Sequence, residues 1–216
     1  MSFERELSAA LLEWFHKKGR DFPWRKTSVP FRILIAEKLL QQTSVRDSLI
    51  EIYETLIIKY PTPDHLANAD IEELRELIQP LGLDYRARDL ILMSHDLIEK
   101  FAGTVPAKRE LLLSLYGVGE YSARAILSFA FGEDVAVVDV NVARILYRVF
   151  AITEKFPSNP ARNRKLIDLA SSLIPSNRSK EFNWAMIDLG SMICLSKKPL
   201  CEYCPLNKIC SFHNGH

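Results

Sequence analysis

The sequence predicts an all-α fold. Glycine is scarce, with 8 in 216 residues, and apolar residues recur at intervals of three and four along most of the chain, which is the spacing of one helix face. Stretches that alternate apolar and polar residues, as half-buried strands do, are few. At this length the chain can bury a sizeable core, either as one domain or as two small lobes.

The helices can be placed in order from this periodicity and from the residues that interrupt it. An apolar stripe that starts at Phe3 predicts a first helix that ends near Gly19. Asp70, with Glu73 three residues later, predicts a helix start of the capping-box type. The run 135–138 is apolar and extended but too isolated for a sheet. Further helices are predicted at about 31–42, 45–60, 86–101, 141–150, 162–173 and 180–194, and on each side of a glycine turn at 117–119.

Charge is balanced over the whole chain but not along it. There are 28 Lys and Arg against 27 Asp and Glu, so net charge alone does not indicate a nucleic-acid-binding protein. Residues 51–99 carry 11 acidic and 4 basic side chains, whereas residues 162–216 carry 8 basic and 4 acidic ones, so one face can be basic. With no apolar run of membrane-spanning length and no signal peptide, we expect an intracellular protein of the cytoplasm or nucleoid with no membrane partner.

Gly117, Val118 and Gly119 predict a tight turn between two helices. Both glycines can adopt positive φ, and they leave backbone N–H groups uncovered at the start of the second helix. Such a helix start is suited to binding a phosphate. The alternative is a helix–helix turn without a ligand.

The four cysteines, Cys194, Cys201, Cys204 and Cys210, all lie within one 17-residue stretch. In a protein expected inside the cell, this grouping indicates a metal centre rather than disulfides. A zinc ion held by four thiolates is the common solution, and a [4Fe–4S] cluster also requires four thiolates.

These segments together resemble the helix-hairpin-helix DNA glycosylase superfamily, in its endonuclease III and MutY branch. The hairpin is followed by Val-Val-Asp-Val-Asn-Val-Ala-Arg at 137–144, similar to the Asp-containing loop of that superfamily, and residues 35–45 and 182–190 resemble MutY. The cysteine spacing matches the [4Fe–4S] loop of the same proteins. The resemblance implies two helical lobes, namely a six-helix barrel at 27–132 with its hairpin at about 107–131, and an iron-sulfur lobe made of 1–26 and 133–216 with its cluster loop at 194–210.

The resemblance assigns two carboxylates to catalysis. Cleavage of an N-glycosidic bond passes through a sugar cation, and Asp139 stands where the family keeps the carboxylate that stabilises this cation. Glu37 stands where MutY proteins keep the acid that protonates the departing base and helps to activate water. The alternatives are that Asp139 only caps the following helix, and that Glu37 is a surface residue paired one helical turn away.

Tyr121 occupies the position of the lysine that attacks the sugar in bifunctional members of the family. A phenol cannot form a Schiff base. The resemblance therefore implies a monofunctional glycosylase that hydrolyses the bond with water and leaves an abasic site.

The resemblance also implies contacts with double-stranded DNA. An extruded base leaves a gap in the duplex, which Gln42 is expected to fill with Gln41 beside it. Leu83 or Tyr85 is expected to wedge the opposite strand, although this turn departs from the MutY sequence. The residues expected to contact the DNA backbone are Gly117, Val118 and Gly119 of the hairpin and Lys197 and Lys198 of the cluster loop, for which a solvated lysine pair is the alternative.

Four residues are candidates for the base pocket: Trp24, Val45, Asn141 and Trp184. Trp184 stands where adenine-specific members place Gln or Glu, and an indole offers one donor and no acceptor. Trp24 and Trp184, like Tyr121, could wall the pocket or be core residues. Val45 resembles the adenine-specific group.

The expected substrate is thymine or uracil opposite guanine, processed by a monomer on mismatched or damaged DNA. Tyr121 is typical of archaeal-type thymine glycosylases, and the chain ends six residues after Cys210, where MutY proteins continue into a domain that recognises 8-oxoguanine. Adenine opposite guanine or 8-oxoguanine is the alternative. Two further alternatives are a noncatalytic lesion-binding protein and a zinc-stapled DNA-binding module.

Overall fold

A computed structural model describes residues 2–43, 45–82 and 85–215. These residues form helices, turns and loops with no β-strand among them, which confirms the all-α prediction. The α-helices are α1 (Phe3–Lys18), α2 (Pro30–Leu40), α3 (Asp47–Lys59), α4 (Pro63–Ala67), α5 (Ile71–Ile78), α6 (Tyr85–Phe101), α7 (Arg109–Leu112), α8 (Glu120–Phe131), α9 (Val140–Val149), α10 (Arg164–Ser172), α11 (Ser179–Met192) and α12 (Ser211–Asn214).

The chain divides into two compact units. Met1–Arg20 and Gly132–His216 form one, called here the terminal unit, and Asp21–Phe131 forms the other, the central unit. The terminal unit contains α1 and α9 to α12, and the central unit contains α2 to α8. The assignment of a barrel lobe and a cluster lobe, with a boundary at 27 and another at 132, stays a prediction.

In the terminal unit, α11 packs against both α1 and α9. The contact is made by leucines with almost no exposed surface, including Leu11, Leu146 and Leu189. Burial of this apolar area is the main term that stabilises the unit. Asp188 of α11 has no exposed side-chain surface and accepts hydrogen bonds from the backbone N–H and the Nε of Arg20, both at 2.8 Å. A buried carboxylate is costly without such donors, so this pair fixes the point where the chain leaves α1.

In the central unit, α2 packs against α3, α6 and α8. The four residues 33–36 are each at most 2% exposed, because helices cover α2 on several sides. The helix ends at Leu40, two residues before the predicted end. The reason is Gln42, whose φ of 55° lies in the left-handed region that a right-handed helix cannot contain.

The predicted start of α5 agrees with the structure, where a capping side chain is present. The carboxylate of Asp70 accepts hydrogen bonds from the N–H groups of Glu72 and Glu73, both at 2.9 Å, so α5 begins where it was predicted. The run 135–138 is extended and unpaired with any strand of the described chain, as expected. None of the described helices is long and apolar enough to cross a bilayer.

Candidate active site and DNA interface

Asp139 lies at the N-terminus of α9, with its carboxylate held by three donors. Oδ1 accepts from the N–H groups of Asn141 and Val142, at 2.8 and 2.7 Å, and Oδ2 accepts from the side-chain amide of Asn141 at 2.8 Å. These donors and the positive end of the α9 dipole orient the carboxylate and stabilise its charge. Asp139 is therefore a helix cap, as the alternative proposed, and a cap of this kind is still able to face a cation.

The segment that leads to Asp139 is held by the side chain of Asn183 in α11. The Asn183 amide accepts from the N–H of Val137 at 3.0 Å and donates to the carbonyl of Val135 at 2.8 Å. A side-chain amide that bridges an extended segment in this way replaces the strand neighbour that the segment lacks. Asn183 is buried, at 2% exposed, so the bridge is shielded from water.

Two arginines of α9 connect this site to the cysteine loop. Arg144 donates to the Asn141 side-chain oxygen and to the carbonyls of Gly190 and Cys194, each at 2.8 Å. Arg148, one turn later, donates to the Cys194 sulfur at 3.3 Å and to the carbonyls of Leu195 and Ser196 at 2.7 and 2.9 Å. The backbone of the cysteine loop is thus fixed to the same helix that Asp139 caps.

The four cysteines line one small cavity, together with Arg148, Ile193 and Phe212. None of the four, all of which lie in the described chain, is in a disulfide. Burial, with a smaller contribution from the neighbouring sulfurs, raises the pKa of the Cys204 thiol to about 11. Thiols kept in such a place need a cationic partner to become thiolates, which is what a metal centre supplies.

The residues around the cavity supply four thiols, the donor set of several kinds of metal centre. Within residues 2–43, 45–82 and 85–215, no three His, Cys, Asp or Glu side chains converge on one position for a single metal ion. In a [4Fe–4S] cluster each thiolate binds a different iron, so its four sulfurs surround a group of atoms instead of one point. Four thiols around one cavity, with an arginine donor at the Cys194 sulfur, are compatible with that group.

Glu37 lies in the middle of α2 and is 5% exposed. This burial excludes the alternative of a surface residue. A glutamate in such an apolar helix is desolvated, which is the environment that a general acid requires. Glu37 and Asp139 belong to different units.

The hairpin turn lies between α7 and α8, as predicted. Gly117 has a φ of 68°, which favours glycine, and Val118 is 7% exposed, so its side chain anchors the turn in the core. Among the described residues, the N–H groups of Gly117 and Gly119 find no backbone acceptor. The two amides lie at the positive end of α8, so the turn has the chemistry of a phosphate site.

The other predicted site residues lie at different depths. Trp24 is 7% exposed and packs between Phe22 and Tyr53, at centroid distances of 4.9 and 5.3 Å, so the core alternative accounts for its contacts. Trp184 is partly buried, with the ammonium of Lys180 5.0 Å from its ring centroid, and burial lowers the pKa of Lys180.

Of the remaining residues, Tyr121 lies in the first turn of α8 and is partly buried, as is Val45. Tyr85, at the start of α6, is 47% exposed, and Lys197 and Lys198 are exposed. Leu83 lies outside the described residues.

Sequence reasoning missed four buried or partly buried cations that bind loops and turns. Arg144 and Arg148 lie in the terminal unit, and Lys38 and Arg86 lie in the central unit. Arg144 and Arg148 could have been noticed as two arginines one turn apart on the helix that follows Asp139. Lys38 interrupts an apolar helix, and only this break in the pattern marks it. Arg86 gave no signal of its own, because a helix start of alternating Arg and Ala is typical of exposed surface.

A profile of the "HhH-GPD superfamily base excision DNA repair protein" matches residues 35–171. The chain is 39% identical to the thymine-DNA glycosylase of Aeropyrum pernix, over 97% of this chain and 95% of the relative. It is 38% identical to the adenine DNA glycosylase of Rattus norvegicus, over 94% of this chain but 41% of the relative.

Solved structures of a DNA glycosylase and of endonuclease III have a similar fold. A thermostable thymine-DNA glycosylase superposes with a TM-score of 0.91 at 31% identity, covering 99% of this chain and 97% of that one. Endonuclease III in a non-covalent complex with DNA superposes with a TM-score of 0.78 at 26% identity, covering 100% of this chain and 98% of that one.

Proposed function

Because the chain belongs to the HhH-GPD superfamily of base excision DNA repair proteins, we propose that it is a monofunctional DNA glycosylase that removes thymine or uracil opposite guanine. The predictions of the family, of a glycosylase and of DNA as the partner are confirmed by the comparisons. We infer in addition the base that is excised, the hydrolytic route, the cofactor and the roles of single residues.

The likeness in fold to a thymine-DNA glycosylase is the observation that carries the choice of base. Sequence identity alone does not separate thymine from adenine, since relatives of both kinds reach 38% or more. The TM-score of 0.91 supports thymine, and so does the partly buried indole of Trp184. With one donor and no acceptor, this side chain cannot match both polar atoms of an adenine edge. Adenine opposite guanine or 8-oxoguanine is the second candidate, which Val45 favours.

Hydrolysis is divided between the two carboxylates. Glu37, desolvated in α2, protonates the departing base and then takes a proton from the attacking water. Asp139, fixed by its three donors, stabilises the positive charge that develops on the deoxyribose. Water, and no protein group, forms the new bond to the sugar, so the product is an abasic site.

Tyr121 supports a route without a covalent intermediate. It stands in the first turn of α8 beside the hairpin, where an amine would be needed to form a Schiff base with the sugar. Borohydride reduction during the reaction is therefore expected to trap no protein–DNA adduct in the wild type. An adduct that persists in Tyr121→Phe would overturn the monofunctional assignment.

The proposed cofactor is a [4Fe–4S] cluster held by Cys194, Cys201, Cys204 and Cys210. Such a cluster, with all four irons ligated by protein, supplies structural or redox-sensing chemistry. The loop that carries it presents Lys197 and Lys198 to solvent and hence to the DNA backbone. Iron and acid-labile sulfide in the brown purified protein are the expected result, and one zinc per chain in a colourless protein would contradict it.

The DNA interface of the proposal combines backbone and base contacts. The amides of Gly117 and Gly119 bind a phosphate, and Gln42 enters the duplex with Gln41 beside it. Tyr85 is exposed near the start of α6 and is the described candidate for the wedge on the opposite strand. The protein is proposed to bind mismatched duplexes as a monomer.

Single-turnover excision on four matched duplexes tests the proposal. The duplexes contain T·G, U·G, A·G or A·8-oxoguanine, and alkali added after each time point cuts any abasic site. Strand cleavage for T·G and U·G only is the expected result. Cleavage for the adenine duplexes only would establish the second candidate, and binding without cleavage of any duplex would establish a noncatalytic lesion-binding protein.

A further inference from the structure

Two buried cations lie beneath the two turns of the central unit that are proposed to contact DNA. Lys38 of α2 and Arg86 of α6 are each 2% exposed. Lysine and arginine are almost never fully buried unless they are paired. Each cation has an acceptor on one of the two turns, so the burial of both cations is connected with the shape of those turns.

Lys38 fixes the hairpin turn. Its ammonium donates to the carboxylate of Asp89 at 3.2 Å and to the carbonyl of Gly117 at 3.3 Å. A Cβ built on Gly117 would clash with the Lys38 Nζ, so the missing side chain leaves room for the ammonium. One cation thus satisfies the hairpin carbonyl, and Asp89 compensates its charge.

Arg86 fixes the turn that carries Gln42. Its Nη2 donates to the carbonyl of Gln41 and to the hydroxyl of Thr43, the residues on either side of Gln42. Between these two contacts, Gln42 has a φ of 55° and an exposed side chain. The left-handed conformation is unfavourable for a residue with a Cβ. The guanidinium therefore holds a strained turn that points Gln42 outward.

Gln41 connects the two turns. Its side-chain amide donates to the carbonyl of Gly117 at 3.2 Å and to the hydroxyl of Ser122 at 3.3 Å. The Gly117 carbonyl consequently accepts from Lys38 in α2 and from Gln41, the residue that follows the helix. On α6, Arg86 and Asp89 lie three residues apart, and they contact the Gln42 turn and Lys38, respectively.

We propose that Lys38, Asp89 and Arg86 form a buried latch that joins the Gln42 turn to the hairpin turn, so that the two move as one body. They are positioning residues, since none of them touches the base or the sugar in the proposed function on which this inference rests. The latch makes insertion of Gln42 into the duplex depend on the hairpin's hold on the DNA backbone. Its loss weakens binding to an extruded-base site but leaves binding to ordinary duplex unchanged.

The test is a double-mutant cycle between the latch and Gln42. Lys38→Met with Asp89→Leu removes both charges together, so that neither is left buried alone and net charge is unchanged. Gln42→Gly removes the inserted side chain and the strain. Dissociation constants are measured by fluorescence anisotropy for a duplex with a tetrahydrofuran abasic analogue opposite guanine and for a matched duplex, with single-turnover excision of T·G in parallel.

The latch predicts that its removal weakens binding to the abasic duplex by about tenfold in the wild-type background and by less than about twofold in Gln42→Gly. Binding to the matched duplex changes by less than about twofold in both. The same substitutions at an exposed pair of the same unit, Lys59→Met with Glu73→Leu, are the matched control and leave both affinities unchanged. Equal losses in the two backgrounds would overturn the latch.

The outcomes separate the latch from the proposed function. Equal losses with T·G excision intact in the wild type overturn the latch alone, whereas a wild type that neither excises nor prefers the abasic duplex overturns both. Thermal unfolding checks that each variant is folded. If the variant with Lys38→Met and Asp89→Leu does not fold, Gln41→Met takes its place in the same cycle. This substitution removes the hydrogen bond between the two turns at a partly exposed side chain.

Discussion

The Asp139 site of the terminal unit and the paired turns of the central unit are held by different kinds of contact. The Asp139 carboxylate is bound by groups two and three residues away in the chain. The turns depend instead on Lys38 and Arg86, whose acceptors are 79 and 45 residues away. The first site is an unstrained helix cap, and the second contains a residue in the left-handed conformation.

This comparison indicates which site keeps its geometry when the packing of helices is perturbed. A cap forms whenever its helix forms, because the donors belong to the first turn of that helix. A turn held by distant cations forms only after the helices around it have packed. We therefore expect substitutions at Asp139 to affect chemistry alone, and substitutions around the turns to affect both geometry and binding.

Glu37→Gln is expected to have the largest effect on excision. Loss of a general acid typically slows a reaction by about 10²–10⁴-fold, and Glu37, which is 5% exposed, is the carboxylate proposed for this role. Single-turnover rates on T·G duplex, with enzyme in excess, measure this loss. A decrease below about tenfold would show that Glu37 serves only packing in α2.

Asp139→Asn is expected to slow excision by about 10²–10³-fold, the usual cost of losing one preorganised electrostatic group. Asparagine also caps helices well, so the melting temperature and the affinity for an abasic-analogue duplex are expected to stay close to those of the wild type. Unfolding of the variant at markedly lower temperature would mean that charge at this cap, and not its hydrogen bonds, holds the terminal unit together.

Tyr53 makes the stability of the central unit sensitive to high pH. Burial raises the pKa of Tyr53 to about 12, from a usual value of about 10. The unfolded chain loses this proton above pH 10 while the folded chain keeps it, so the free energy of unfolding is expected to fall by roughly 2–3 kcal/mol between pH 10 and 12. Urea unfolding across this range measures the fall, and Tyr53→Phe serves as its control. An equally steep fall in Tyr53→Phe would assign it to another group.

Gln42→Gly is expected to have the smallest effect on stability, and a favourable one. Relief of the left-handed conformation is worth about 1 kcal/mol, so the melting temperature rises slightly while affinity for the abasic-analogue duplex falls. Ala102, also at positive φ but distant in sequence from the site residues, provides a matched control as Ala102→Gly. Stabilisation by Ala102→Gly but not by Gln42→Gly would show that the Gln42 turn carries no strain.

The sequence predicts what depends on neighbours in the chain. The start of α5 at Asp70, the glycine turn before α8 and the position of Asp139 before α9 all follow from short local patterns. The predicted end of α2 is two residues too late, because the left-handed conformation of Gln42 that ends the helix occurs in a turn held by Arg86 of α6. Periodicity marks which residues are buried but not which distant carbonyl a buried cation binds.

The site residues also divide into those set by chain neighbours and those set by distant contacts. Trp24 was a candidate for the base pocket because aromatic residues suit stacking, yet its contacts are with Phe22 and Tyr53 in the core. The hydrogen bond from Arg144 to the carbonyl of Cys194 joins residues 50 positions apart, and no local motif predicts it. The functional roles of Glu37 and Asp139 came from the resemblance to a family, and the structure adds the surroundings that make those roles chemically reasonable.

The most direct test of the roles proposed for Glu37 and Asp139 is a comparison of four single-turnover rates on T·G duplex: wild type, Glu37→Gln, Asp139→Asn and the double variant. Groups that act on one bond are strongly non-additive. The double variant is therefore predicted to be at most about tenfold slower than the slower single variant. A double variant whose loss equals the product of the two single losses would contradict the claim that both carboxylates act together in one step.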